Sequence, residues 1–292
     1  MDAKEKNIMT KLFCDSNCEL RYELIEELGL SVINMPYVID GEMGYFDMGK
    51  NPQLSIDFFN KMRNGAVPKT QALNQHDYIE AFEPVLKNGD DILYLSFSHK
   101  ASATFEMMEK AIAELKEKYP ERTVTCVDTK GLSMIAGQVV LECAKLHKSG
   151  ATDAEVISLC EKLRQKTKGY YAAADLVYLK RGGRLSGGKA MMGTLLGLKP
   201  IISMDDGATV SKDKAKGRKN ALKMIVDLAH ADGIDTNYPV FIPHADCENE
   251  VVIVERLIKE NYPDADIHPQ FVGPVIGSHC GPDTLAICFM KK

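Results

Sequence analysis

Apolar positions in the first part of the chain alternate between two textures. Short apolar runs at 11–14, 31–39, 91–97 and 123–127 predict strands. Between them, apolar residues recur at helical spacing: Leu20, Leu24 and Leu28; Tyr78, Phe82 and Leu86; Phe105, Met108, Ile112, Leu115 and Tyr119; Leu132, Ile135, Val139 and Leu146; Val156, Cys160 and Leu163. Ser16-Asn17-Cys18-Glu19 has the form of a capping box opening the first of these helices, and Asn74 and Thr152 can cap two others. Gly29, Gly89 and Pro120 stand where three helices should stop. This alternation predicts an α/β unit of three layers, a parallel sheet with helices on both faces. Ligands of such sheets sit beyond the carboxyl ends of the strands, here Asp15-Ser16, Ser96-Phe97-Ser98 and Asp128-Thr129.

The texture changes near Lys168. A strand at 170–174 precedes a Gly- and Arg-rich stretch and a helix at 189–198. Runs at 200–204 and 208–211 around Asp205-Asp206-Gly207 predict a hairpin. Helices at 221–229 and 250–258 and strands at 240–242, 267–272 and 285–290 complete a two-layer α+β unit with a mixed sheet. The expected domains are 1–168 and 169–292.

The 292 residues are 45% hydrophobic and 26% charged, which excludes a disordered, collagenous or low-complexity chain. Residues 1–11 are charged and lack an apolar core, and no run approaches the ~18 apolar residues of a membrane span. The expected location is therefore cytoplasmic. Eight cysteines include no C-x-x-C pair, so a zinc site is not expected and the thiols read as reduced core residues. The net charge of −5 hides an asymmetry: from Lys180 to Lys223, 11 Lys or Arg face three Asp, giving +8 and leaving −13 for the rest. Without interleaved aromatics to stack on bases, the basic segment does not read as a nucleic-acid surface.

Gly183-Arg184-Leu185-Ser186-Gly187-Gly188-Lys189-Ala190 nearly matches a phosphate loop but ends on Ala190, which has no hydroxyl for magnesium. Ser98-His99-Lys100-Ala101-Ser102-Ala103-Thr104 lies between a strand and a helix, where hydroxyls and free backbone N–H groups can cap the helix or hold an anion. Gly273-Pro274-Val275-Ile276-Gly277-Ser278-His279-Cys280-Gly281-Pro282 reads as a loop shaped by glycines and prolines to present His279.

Taken in order, Asp15-Ser16, Pro68-Lys69-Thr70, Ser98-x-Lys100-x-Ser102-x-Thr104, Leu179-Lys180-Arg181-Gly182-Gly183-Arg184, Gly197-Leu198-Lys199-Pro200 and the 273–282 block resemble the DegV family of bacterial fatty-acid-binding proteins over nearly the whole chain. The resemblance implies two domains with a long-chain fatty acid between them and no other cofactor. It places the carboxylate on Thr70, Ser102 and His279, with Ser98, Gly277 and Ser278 nearby. It also implies a non-catalytic carrier that presents its ligand to a separate fatty acid kinase, and Arg181, Arg184 and Arg218 are the expected docking residues for that partner. The chain departs from the family at Gln71, Ala103 and Asp283, beside the expected carboxylate site. The rival expectation is a hydrolase or acyltransferase acting on acyl esters through Ser102 or Ser98 with His279.

Overall fold

The computed structural model of the chain describes residues 8–184 and 197–292. Strand β1 (Thr10–Asp15) lies between β2 (Ser31–Ile33) and β6 (Asp91–Ser96), and β7 (Val124–Asp128) follows β6; all three pairings are parallel. Both faces of this sheet are apolar, so its strands alternate between two cores. Phe13, Ile92 and Tyr94 point to the side covered by α3 (Gln75–Lys87) and α4 (Thr104–Lys118). Leu12, Cys14, Leu93 and Leu95 point to the side covered by α1 (Tyr22–Leu28), α5 (Met134–Lys148) and α6 (Asp153–Leu163). Burial on both faces is what a parallel sheet requires.

A second, six-stranded sheet runs in the order β10 (Ala208–Lys216), β9 (Leu198–Asp205), β8 (Thr167–Ala172), β13 (Leu285–Met290), β11 (Val240–His244) and β12 (Ile267–Phe271). Only its last pairing, β11 with β12, is parallel. One face, with Tyr170, Ala172, Ile242, Ile287 and Phe289, is covered by α8 (Arg218–Asp232) and α9 (Glu248–Lys259). The other, with Phe241, Ala286, Cys288 and Met290, shares a core with α5. Helix α5 is buried without interruption from Met134 to Leu141, the mark of a helix enclosed on all sides. Gly137 on it lies so close to the first sheet's end that a Cβ would stand 2.3 Å from the Cys18 carbonyl oxygen. The described chain thus stacks helices, parallel sheet, helices, mixed sheet and helices.

Several elements differ from the sequence expectation. The Ser16–Glu19 segment does not open a helix. Asp15 caps a single 3-10 turn (Ser16–Cys18), and Glu19 then adopts left-handed backbone with φ of 55°. Glu19 is buried and its carboxylate serves distant partners instead of a capping box. The 273–282 block is not a loop: Pro274 occupies the first turn of a short helix, α10 (Pro274–Cys280), that Gly281 ends. The run expected as one strand at 31–39 is two, β2 and β3 (Pro36–Ile39), and β3 belongs to a separate small antiparallel sheet with β4 (Glu42–Tyr45) and β5 (Lys69–Thr70); β4, β5, α2 (Pro52–Arg63) and α7 (Leu176–Gly182) had no strong periodic signal. Of the helix expected at 189–198, residues 189–196 lie outside the described residues, and Leu198 begins β9.

Candidate functional site

The carboxyl ends of the parallel strands are tied together by Asp15. Its side chain accepts hydrogen bonds from Asn17 N (3.0 Å), Phe97 N (2.9 Å) and the Tyr94 hydroxyl (3.1 Å). Burial raises its carboxyl to about 6, while these three donors pull the other way. Beyond β6, Ser98 caps a 3-10 turn (His99–Ala101), and Ser102 Oγ receives the Thr104 N–H at 3.3 Å ahead of α4.

His279 sits in the last turn of α10, with Nε2 3.1 Å from Thr70 Oγ1 on β5. The other edge of the imidazole packs on Gly182, the last residue of α7, where a Cβ would lie 2.3 Å from Nδ1. A Cβ on Gly281 would likewise lie 2.2 Å from the Tyr178 ring, so two glycines allow α7 and α10 to meet. Burial, and secondarily the charge of Arg184, push the imidazole down to about 4, so it is neutral at pH 7.

Thr70, Ser102 and His279 border a cavity of about 200 Å³. That is several times the ~30 Å³ share of one liquid water, so the space suits an organic ligand. Met35, Phe97, Leu132, Ile202, Met204 and Val275 give it largely apolar walls drawn from the connections beyond the parallel strands, from β9 and from α10. Thr70, Ser102, Arg184 and His279 lie on the same wall system. Two outer clefts share this border: one holds Thr70, Arg184 and His279 with Lys69, Tyr178 and Arg181, the other Ser102 and Arg184 with His99 and Lys100. The apolar interior therefore opens through a polar, cationic mouth.

The structure separates the other expected site residues. Ser98 is turned away from the cavity, its Oγ donating to the Gly207 carbonyl at 2.7 Å. Gly277 packs against Phe58 and Phe59, and Ser278 Oγ donates to Pro274 O within α10. Neither borders the main cavity, although Ser278 reaches an outer cleft. Arg181 and Arg184 stand at the mouth, Arg184 on the cavity wall itself. Arg218, the third expected docking residue, borders neither the cavity nor the two outer clefts. Its guanidinium pairs with Glu250 and donates to the carbonyls of Ala172 and Asp283, leaving the side chain only 20% exposed. These partners explain a cation at the start of α8, where the helix dipole alone would disfavour it. Asn17, Ser133 and Tyr171 also border the cavity and carried no sequence signal of that role.

Fold and site together define an α/β protein that encloses a small-molecule cavity between a parallel and a mixed sheet. The chain belongs to the DegV family, described as an uncharacterised protein family, which it matches over residues 9–292. A DegV domain-containing protein of Clostridium perfringens is 35% identical, with 96% of each chain covered, and one from Streptococcus pyogenes serotype M3 is 31% identical, covering 94% of this chain and 96% of the relative. A DegV family protein from Thermus thermophilus, described by its fatty acid binding, superposes with a TM-score of 0.84 at 28% identity over 98% of this chain and all of its own. DegV of Bacillus subtilis, described as a fatty acid binding protein, gives 0.81 at 25% identity with the same coverage. No helix among the described residues is long and apolar enough to cross a membrane.

Proposed function

We propose that this protein binds a long-chain fatty acid, with the acyl chain in the cavity and the carboxylate at the mouth against Thr70, Ser102 and His279. The observation that carries the reading is the Thr70–His279 hydrogen bond at the polar end of an apolar cavity. A desolvated carboxylate is costly unless donors meet it. The pair can supply them. With the proton on Nε2, His279 donates to Thr70, and the threonine hydroxyl is free to donate outward. A carboxylate thus favours that tautomer, and Arg184 adds a fixed charge at the same border. The tail needs only burial, at about 0.8 kcal/mol per methylene.

In this reading the protein is a cytoplasmic, non-catalytic carrier that presents the carboxylate to a separate fatty acid kinase, and residues 1–168 and 169–292 form the two domains that flank the ligand. Arg181 and Arg184, beside the mouth, are the docking residues retained. The hydrolase rival lacks support: among the described residues His279 Nε2 meets Thr70, while Ser98 is committed to Gly207 and Ser102 to Thr104. A nucleophile needs its base within hydrogen-bond reach.

Native mass spectrometry of the purified protein, followed by denaturing extraction, tests the reading. The expected result is a near-stoichiometric fatty acid, with the loaded form melting above the stripped one. Preparations without lipid, whose stripped protein gains no thermal stability from palmitate or oleate, would sink it. For the carrier role, reversing charge at both Arg181 and Arg184 should slow acyl-phosphate formation by the kinase. Normal rates in that double variant would remove these residues from the docking surface.

A further inference from the structure

The cavity has a second border, away from the mouth. A polar outer cleft is lined by Lys130, Arg164, Lys168, Asp205 and Asp206, and among the described residues the one it shares with the cavity is Met204. It shares none with the two clefts at the mouth. The apolar interior and this charged cleft therefore meet at a single side chain.

Strand pairing places that side chain. Tyr171 on β8 stands opposite Ile202 on β9, and both border the cavity. Met204, two residues on, lies on the same face and level with Gly169. The mouth lies the other way along the sheet. Leu285 pairs with Ala172, which sets Thr284 beside Ala173, and the Thr284 hydroxyl donates to the carbonyl of Cys280, next to His279. From Ala173 back to the level of Gly169 is four residues, about 13 Å of strand. Gly169 brings no side chain, and Ile135 of α5 fills its place: a Cβ there would lie 2.7 Å from Ile135 Cδ1. Ile135 borders the outer cleft and not the cavity. Met204 packs on the core around α5, and the Thr209 hydroxyl, on the cavity wall, donates to its Sδ at 3.5 Å.

We propose that Met204 is the stop for the methyl end of the acyl chain and so sets the longest chain the protein accepts. With the carboxylate held by Thr70, Ser102 and His279, the tail has the stretch of sheet between them and Met204. Methylenes that fit short of Met204 leave water for an apolar wall. Those pushed past it emerge among Lys130, Arg164 and Asp206, where apolar surface gains nothing. A smaller side chain at this position joins the two spaces, and a larger one shortens the cavity. This inference rests on the fatty-acid reading and adds its chain-length determinant.

Displacement of a fluorescent fatty acid by saturated acids from myristic to arachidic tests it in the wild type, Met204→Ala and Met204→Phe. The readout is the affinity of arachidic acid relative to myristic acid. That ratio should rise about tenfold in Met204→Ala and fall about tenfold in Met204→Phe, each a shift of about 1.4 kcal/mol. Met204→Leu, which keeps the volume, should match the wild type. An unchanged ratio in a folded Ala or Phe variant overturns the inference, and where one of them fails to fold the other decides. A shift in the same direction in both also overturns it, because a merely loosened core would give that. Either result leaves the fatty-acid reading intact. Failure of every acid to bind the wild type overturns both readings together.

Discussion

At the scale of single residues, the mouth of the cavity makes the sharpest predictions. Thr70→Val, Ser102→Ala and His279→Ala should each weaken palmitate binding, by about 1 kcal/mol for a neutral hydrogen bond and up to ~3 for a charge-assisted one. Methyl palmitate should bind the wild type less well and respond less to the same changes; equal losses for acid and ester would place the carboxylate elsewhere. A bound carboxylate should lift His279 from about 4 towards its ordinary 6.5. Binding between those pH values should then take up protons, visible in calorimetry as a heat that varies with the buffer, and His279→Gln should abolish the variation. Glu19 makes a separate prediction about stability. Burial raises its carboxyl from 4.5 to about 8, against donors from Ser133 and Gly273 N. Because the folded state holds this proton more tightly than the unfolded one, its contribution is complete below about pH 4.5 and fades as pH climbs to about 8. One proton sets a slope of at most about 1.4 kcal/mol per pH unit. Glu19→Gln should flatten that part of a thermal-denaturation series; an unchanged slope would clear Glu19 of the effect. His279 could be singled out from its Gly- and Pro-bounded block, whereas Thr70 came only from the family resemblance, and the structure brings the two into contact. Glu19 was misread, because a local Ser-x-x-Glu spacing carries no trace of partners more than a hundred residues away.

At the scale of elements, the tip of the β9–β10 hairpin matters most. Asp205-Asp206-Gly207 was legible as a turn from its Asp-Gly pair, but its destination was not. The tip lands on the carboxyl ends of the parallel sheet: Ser98 Oγ holds Gly207 O, and Asp206 pairs with Lys100 at 2.9 Å and with Lys130. A Cβ on Gly207, where φ is +83°, would stand 2.5 Å from Ser98 Oγ, so the seat needs glycine for both space and backbone. Ser98→Ala removes a buried hydrogen bond and should cost about 1–3 kcal/mol. Amide exchange at the hairpin tip should quicken before exchange in β1 or β6 does. Uniform acceleration would mean that Ser98 supports the core at large. The strands of the two large sheets and most of the long helices were readable because each carries one strong period; α2 and the small sheet were the exceptions. The helix α10 was not readable, since seven residues with three glycine or proline neighbours look like a loop until Pro274 is recognised as a first-turn residue.

At the scale of the molecule, periodicity shows which residues are buried but not which buried faces oppose each other. The five-layer stack was hidden for that reason. Its one clue was α5, whose apolar positions are too continuous for a helix with a wet side. The basic segment was legible as charge, yet its residues have different fates: Arg184 borders the cavity, while Arg218 anchors α8 to Glu250 and two carbonyls. Arg218→Ala should therefore destabilise the fold, by about 2–4 kcal/mol as buried hydrogen bonds and a charge partner are lost. Denaturant titration that finds Arg218→Ala as stable as the wild type would return it to the surface. The sharing of α5 also has a kinetic consequence. Two sheets that grip one helix cannot part without exposing that core to water, so release of a ligand should not await a wide opening of the molecule. Its residence time should be set by the small seat of Gly207 on Ser98 and by the meeting of α7 with α10. Dissociation in Ser98→Ala should be faster while the association rate changes little, making retention a property of a few contacts at the rim.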